Sequence, residues 1–78
     1  MDNIEKEVRE IISKVAKIKP EELKEDSNLF QDLGVDSLVG VEIIAAIDKK
    51  YSLDIPEEKL EEVQTVKELV NMVKELKK

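Results

Sequence analysis

The sequence predicts an all-α fold: a small four-helix bundle of three longer helices and one short helix, with a long loop between helices one and two. Three observations predict it. Apolar residues recur at helical spacing in three separate stretches. The 78 residues include no cysteine and no histidine, so neither disulfides nor Cys and His metal ligands hold the chain together. A chain this short buries only about 60% of its unfolded surface, so its stability has to come from ordinary helix packing. Aromatic residues are 3% of the total, which makes that packing aliphatic and deformable. Residues 1–78 read as one domain, without internal repeats or low-complexity segments.

The first helix is expected over residues 3–17. Ile4, Val8, Ile11, Ile12 and Val15 fall on one face, and Asp2 or Asn3 is placed to cap it. It should end near Lys19-Pro20, because a residue before proline avoids the α region. Residues 18–36 form a connection, with one helical turn at Pro20-Glu21-Glu22-Leu23 and turn chemistry at Asp26-Ser27-Asn28. Leu29, Phe30 and Leu33 should pin this loop to the core. A loop of this length in a small domain is usually functional or disordered, and three large apolar residues argue against disorder.

The second helix is expected over residues 37–50. Gly40, Ile43, Ile44, Ile47 and Tyr51 form its natural core stripe. Leu38, Val41, Glu42, Ala45, Asp48 and Lys49 form a second stripe that mixes apolar and acidic groups, as a docking surface does. Pro56 should start a short third helix running through Leu60. Thr65 and Glu68 make a capping-box pattern that opens the last helix, whose expected core face is Val66, Leu69, Val70, Val73 and Leu76.

Composition excludes several functions. Without histidine or cysteine there is no Ser-His or Cys-His pair, and the 19 acidic residues read as solvated helix faces. The chain is therefore not expected to be an enzyme. A formal charge of −6 argues against nucleic acid and for basic partners. Residues 36–62 carry eight acids against three lysines, a net −5, whereas residues 63–78 carry two acids against four lysines, a net +2. The acidic N-terminus and periodic apolar residues give no sign of a signal peptide or membrane span, and the lack of cysteine fits the cytoplasm. A monomer is expected.

One serine stands out. Gly34-Val35-Asp36-Ser37-Leu38 closes a polar loop and opens an apolar helical run. Ser37 is thereby placed at a helix N-terminus beside a carboxylate. A phosphate ester there would gain about 0.3–1 kcal/mol from the unpaired N–H groups and the helix dipole. Asp36 would oppose that gain, which suggests it serves a metal or basic group on a modifying enzyme. No histidine exists in this chain to supply the base that a serine hydroxyl needs, so Ser37 reads as a substrate serine and not a catalytic one. Ser37 could instead be merely the helix cap, worth about 1 kcal/mol. Asp36 could do that capping by itself and leave the serine free.

Gly34 to Leu38 resembles the Asp-Ser-Leu attachment motif of acyl carrier proteins. The resemblance extends over nearly the whole chain. Asp26-Ser27-Asn28-Leu29-Phe30-Gln31-Asp32-Leu33-Gly34 is similar to the family's loop before the motif. Tyr51 to Pro56 is similar to its aromatic-to-Ile-Pro stretch, and Thr65-Val66 to the start of its fourth helix. The resemblance implies that a phosphopantetheinyl transferase moves 4′-phosphopantetheine from coenzyme A to Ser37. It implies that acyl groups ride as thioesters on the arm's thiol, and that Asp36 helps the transferase hold its magnesium. It also implies that Leu38, Val41, Glu42, Ala45 and Asp48 face acyl-transferring and chain-elongating or modifying enzymes with basic docking patches.

An aliphatic core could also admit a fatty chain. Eight buried methylenes at about 0.8 kcal/mol each would gain about 6 kcal/mol, which outweighs the helix-end effect several-fold. Phe30, Ile43, Ile47 and Val63 are the expected walls. Val39, followed by Gly40, stands where fatty-acid carriers often place an acidic residue directly after the motif leucine, and Lys49 and Lys50 dilute the acidic track. A carrier in fatty acid or related lipid biosynthesis is the first expectation. A specialised carrier for a polyketide, aminoacyl or D-alanyl group is the alternative, and an unmodified helical interaction domain is the rival from another class.

Overall fold

The computed structural model describes residues 3–77. Its helices are α1 (Ile4–Ala16), α2 (Ser37–Tyr51), α3 (Lys59–Glu62) and α4 (Val66–Lys77), with one 3₁₀ turn at Pro20–Glu22. The fold class and the order of elements match the expectation from sequence.

The core is wholly aliphatic. Val8 and Ile12 enter it from α1, Ile43, Ile44 and Ile47 from α2, and Val66, Leu69, Val70 and Val73 from α4. The connections supply Leu23, Leu29, Val35, Ile55 and Val63. Among the described residues no polar side chain is buried, so little desolvation cost offsets the apolar gain. α1 packs on both α2 and α4. The Tyr51 hydroxyl donates to Glu7 Oε1 at 2.5 Å, and Lys77 Nζ lies 5.5 Å from the Tyr51 ring centroid. The end of α2 therefore meets the start of α1 and the end of α4, so α1 runs antiparallel to the other two.

α1 and α2 stop in the same way. Lys17 and Ser52 adopt left-handed conformations, with φ of 57° and 56°. The next N–H groups, of Ile18 and Leu53, reach back to the carbonyls of Ser13 and Asp48, both at 3.0 Å. Neither position holds the glycine that such a cap favours.

The long loop is strapped to the start of α4. Asn28 pairs with Thr65 in an isolated antiparallel bridge, flanked by Leu29 N donating to Gln64 O at 2.7 Å and Val66 N donating to Ser27 O at 3.1 Å. Asn28 Oδ1 accepts from the N–H groups of Phe30 and Gln31, both at 2.9 Å, in an Asx-type turn. Leu29 is fully buried, while Phe30 and Leu33 pack half-buried against the core.

Three local expectations are corrected. Asn3 precedes α1 but its side chain makes no capping hydrogen bond; its carbonyl takes the Glu7 N–H instead. Asp2, the other candidate cap, lies outside the described residues. Pro56 does not begin α3 directly, because the segment first winds through i→i+3 bonds such as Lys59 N to Pro56 O. Regular helix starts only at Lys59 and runs past Leu60 to Glu62. Leu76 is 42% exposed: α4 packs chiefly on α1, and its last turn runs beyond the core, which ends at Val73.

Candidate functional site

Gly34 starts the site. Its φ is +71°, and nothing lies within 4 Å of where a Cβ would sit, so the turn needs glycine for its backbone and not for space. The chain then anchors itself through Val35, which is buried and donates its N–H to Leu29 O at 2.9 Å. Asp36 is extended and caps α2. Its Oδ1 accepts the Val39 N–H and its carbonyl accepts the Gly40 N–H, both at 2.8 Å.

Ser37 is therefore relieved of capping. It is the first residue of α2 and is exposed, and its hydroxyl makes no hydrogen bond among the described residues. The N–H groups of Ser37 and Leu38 likewise have no acceptor there, as expected for the first turn of a helix. A hydroxyl in the open beside two unsatisfied donors fits a phosphate ester, whose oxygens those donors can meet.

The second stripe of α2 faces outward. Leu38 is 70% exposed, which is a large apolar surface left in water. Glu42 and Ala45 are exposed and Val41 is half-buried. Asp48 differs from the rest: it is half-buried, and its Oδ1 accepts the Ile55 N–H at 3.0 Å, fixing the connection that follows α2.

Beside Ser37 lies an open groove of about 420 Å³, lined by Ser37, Val41, Glu57, Glu58, Leu60 and Glu61. Sequence reasoning missed the four residues from the α3 region. The available signal was Leu60, the single apolar residue between Pro56 and Val63, together with the lone glycine of α2. A Cβ on Gly40 would lie 2.6 Å from Leu60 Cδ2, so Gly40 is a notch that receives Leu60. Of the residues expected to wall an acyl pocket, Ile43, Ile47 and Val63 are buried in the core and Phe30 packs half-buried against it. None of the four lines the groove at Ser37.

Comparison with known proteins settles the family. The family described as "Phosphopantetheine attachment site" matches residues 6–73. An "Acyl carrier protein" of Rickettsia bellii (strain RML369-C) is 42% identical over 77 residues, which cover 99% of this chain and 90% of that protein. The chain belongs to the acyl carrier protein family. Further relatives carry the same name. One from Wolinella succinogenes is 36% identical over 67 residues, covering 86% of this chain and 88% of its own. One from Sulfurovum sp. (strain NBC37-1) is 34% identical over 67 residues, covering 86% and 89%. As an acyl carrier protein the chain is a carrier and not an enzyme, and its prosthetic group is covalently attached 4′-phosphopantetheine. Carriers of this family work with transferases and acyl-handling enzymes. No helix among the described residues is long and apolar enough to cross a membrane.

Proposed function

We propose that Ser37 is the attachment residue, and that the chain carries acyl intermediates of fatty acid or related lipid biosynthesis in the cytoplasm as a monomer. The observation that carries this reading is the division of labour at the start of α2. Asp36 caps the helix, and the neighbouring hydroxyl is left exposed and unbonded at the mouth of a groove.

The chemistry follows from what the chain lacks. Ser37 Oγ attacks the phosphorus that joins pantetheine to the nucleotide in coenzyme A. A new P–O bond forms, adenosine 3′,5′-bisphosphate leaves, and the hydroxyl proton passes to a base. With no histidine present to take that proton, we assign the base to the transferase. Asp36 uses one carboxylate oxygen for Val39 N, and its other oxygen is available to the transferase's magnesium. Once attached, the arm supplies the thiol that holds acyl groups as thioesters.

Leu38, Val41, Glu42 and Ala45 form the surface offered to partner enzymes, with Leu38 as the apolar anchor. Glu57, Glu58 and Glu61 on the far side of the groove extend the negative field around Ser37. Such a field speeds encounter with basic patches and weakens with salt, which suits a carrier that must let go. The test is to incubate the chain with coenzyme A and a broad-specificity transferase and weigh the intact protein. A gain of one phosphopantetheine on the wild type and none on Ser37→Ala is expected. No gain on the wild type would refute the carrier reading, and gain retained by Ser37→Ala would refute the site.

A further inference from the structure

Asn28 gathers the hydrogen bonds of the loop that leads to Ser37. Its Oδ1 accepts the N–H groups of Phe30 and Gln31, both at 2.9 Å. Its carbonyl accepts those of Asp32 and Leu33 at 2.9 and 3.1 Å. Its own N–H donates to Asp32 Oδ2 at 2.8 Å. Asn28 and Asp32 therefore close residues 28–33 into one clasp. Asn28 is half-buried and Asp32 is exposed, so these bonds compete with water and add only modestly to global stability. What they fix is a conformation. Leu29, inside the clasp, gives its carbonyl to the Val35 N–H, and the next two residues are the cap Asp36 and the acceptor Ser37. Between the clasp and Val35 stands Gly34, at φ +71°, and glycine has the widest backbone freedom of any residue.

We infer that Asn28 and Asp32 are positioning residues for the modification of Ser37. They hold the approach loop so that the hydroxyl is presented at the start of α2 in the geometry that attack on phosphorus needs. The inference rests on Ser37 as the attachment residue. Both residues act through Leu29, Val35 and Asp36, and not by contact with coenzyme A. The stripe offered to partners, Leu38, Val41, Glu42 and Ala45, belongs to α2 itself. Opening the clasp therefore leaves capture of the chain by the transferase intact. It lowers the fraction of captured chains whose Oγ is aligned, and a misplacement of about 1 Å can cost about 100-fold in rate.

Asn28→Ala opens the clasp from one end and Asp32→Ala from the other. The double variant Asn28→Asp/Asp32→Asn exchanges the two side-chain types and keeps an acceptor oxygen at each position, so it should restore what the alanines lose. Gln31→Ala is the control, because Asn28 Oδ1 takes the backbone N–H of Gln31 and not its side chain. Initial rates of phosphopantetheine transfer from coenzyme A by a broad-specificity transferase are measured by intact mass over a range of carrier concentrations. Urea unfolding gives the stability of each variant, and amide hydrogen exchange shows where the chain has loosened.

Each alanine variant should lose about tenfold in kcat while KM for the carrier stays within about twofold of wild type, because alignment is lost and capture is not. The double variant and Gln31→Ala should load like the wild type. Exchange in the alanine variants should quicken at Val35 and Val39, whose N–H groups end on Leu29 O and Asp36 Oδ1. It should stay unchanged at Ile43 and Ile44 in the middle of α2. Either alanine variant that folds suffices for the comparison. Unfolding of both would overturn the inference by making the clasp an element of stability. Wild-type kcat in the alanine variants, a loss confined to KM, or a loss that the double variant does not restore would overturn it as well. Failure of the wild type to load at all would overturn the attachment reading instead.

Discussion

α4 and α2 begin with the same device and put it to different use. At the start of α4, the Glu68 N–H donates to Thr65 Oγ1 at 3.2 Å, and Glu68 Oε1 accepts from the N–H groups of Gln64 and Thr65 at 2.9 and 3.1 Å. The loop bridge covers this end, and Val66, the first residue of the helix, is buried. At the start of α2 a single carboxylate oxygen takes one N–H, the first residue is an exposed serine, and the second is a leucine left 70% in water. One start is finished by the chain itself. The other leaves a hydroxyl and two N–H groups open among the described residues. That difference, more than the presence of a serine, is what supports the proposed attachment at the start of α2.

The comparison breaks first at Leu29, because both starts hang from it. Leu29 N binds Gln64 O next to α4, and Leu29 O takes the Val35 N–H next to α2. Leu29→Ala should cost about 2–5 kcal/mol in urea unfolding, the range for emptying a buried leucine site. A cost near zero would mean that the strap does not hold the two starts together.

The two caps can then be weighed against each other. Thr65→Ala and Asp36→Ala should each cost about 1 kcal/mol, the usual value of a side-chain cap. Their effects on loading should differ: Asp36→Ala should slow transfer of phosphopantetheine markedly, whereas Thr65→Ala should leave it near wild type once both proteins are folded. Equal loading rates would show that Asp36 is a cap and nothing more.

Acid sharpens the same contrast. The N–H groups of Gln64 and Thr65 hold the Glu68 carboxyl below the usual glutamate range, since they bond best to its ionised form. The stability this contributes is complete above the pKa of an unfolded glutamate and is lost as pH falls through the lowered value. Glu68→Gln should flatten part of the acid limb of a melting-temperature profile. If the variant and wild type lose stability in parallel below the glutamate range, the box carries no such linkage.

The smallest expected effect on stability is at Leu38. Leu38→Ala should change unfolding free energy by no more than about 0.5 kcal/mol, as exposed substitutions do. Acyl transfer by partner enzymes should nevertheless fall clearly. A large loss of stability would assign Leu38 to the fold and remove it from the partner surface.

Much of this was legible in the chain. α1 and α4 announce themselves because each places its apolar residues on one helical stripe, α2 because its apolar run keeps helical spacing on a core stripe and an outer one, and the Thr65 to Glu68 pattern shows the α4 cap directly. The exposed stripe of α2 was legible from Leu38, Val41, Glu42 and Ala45. The start of α3 was not, because one apolar residue in seven sets no period. Nor was the pairing of Gly40 with Leu60, which are distant in sequence and meet only through tertiary packing. Leu76 keeps the helical period of its stripe, but period alone does not say where a bundle ends. Sequence spacing places Asp48 on the acidic face but does not reveal that one of its oxygens also takes the Ile55 N–H.

The bridge between Asn28 and Thr65 also bears on timing. During synthesis Ser37 leaves the ribosome well before Thr65 does. Until Gln64 and Val66 arrive, Leu29 and Ser27 lack the backbone partners that fix the loop ahead of the serine. The Ser37 hydroxyl therefore reaches its final setting only when the start of α4 has been made. A chain stopped after Gln64 should therefore load more slowly than the 78-residue chain under equal transferase, because the setting of Ser37 depends on contacts made by α4.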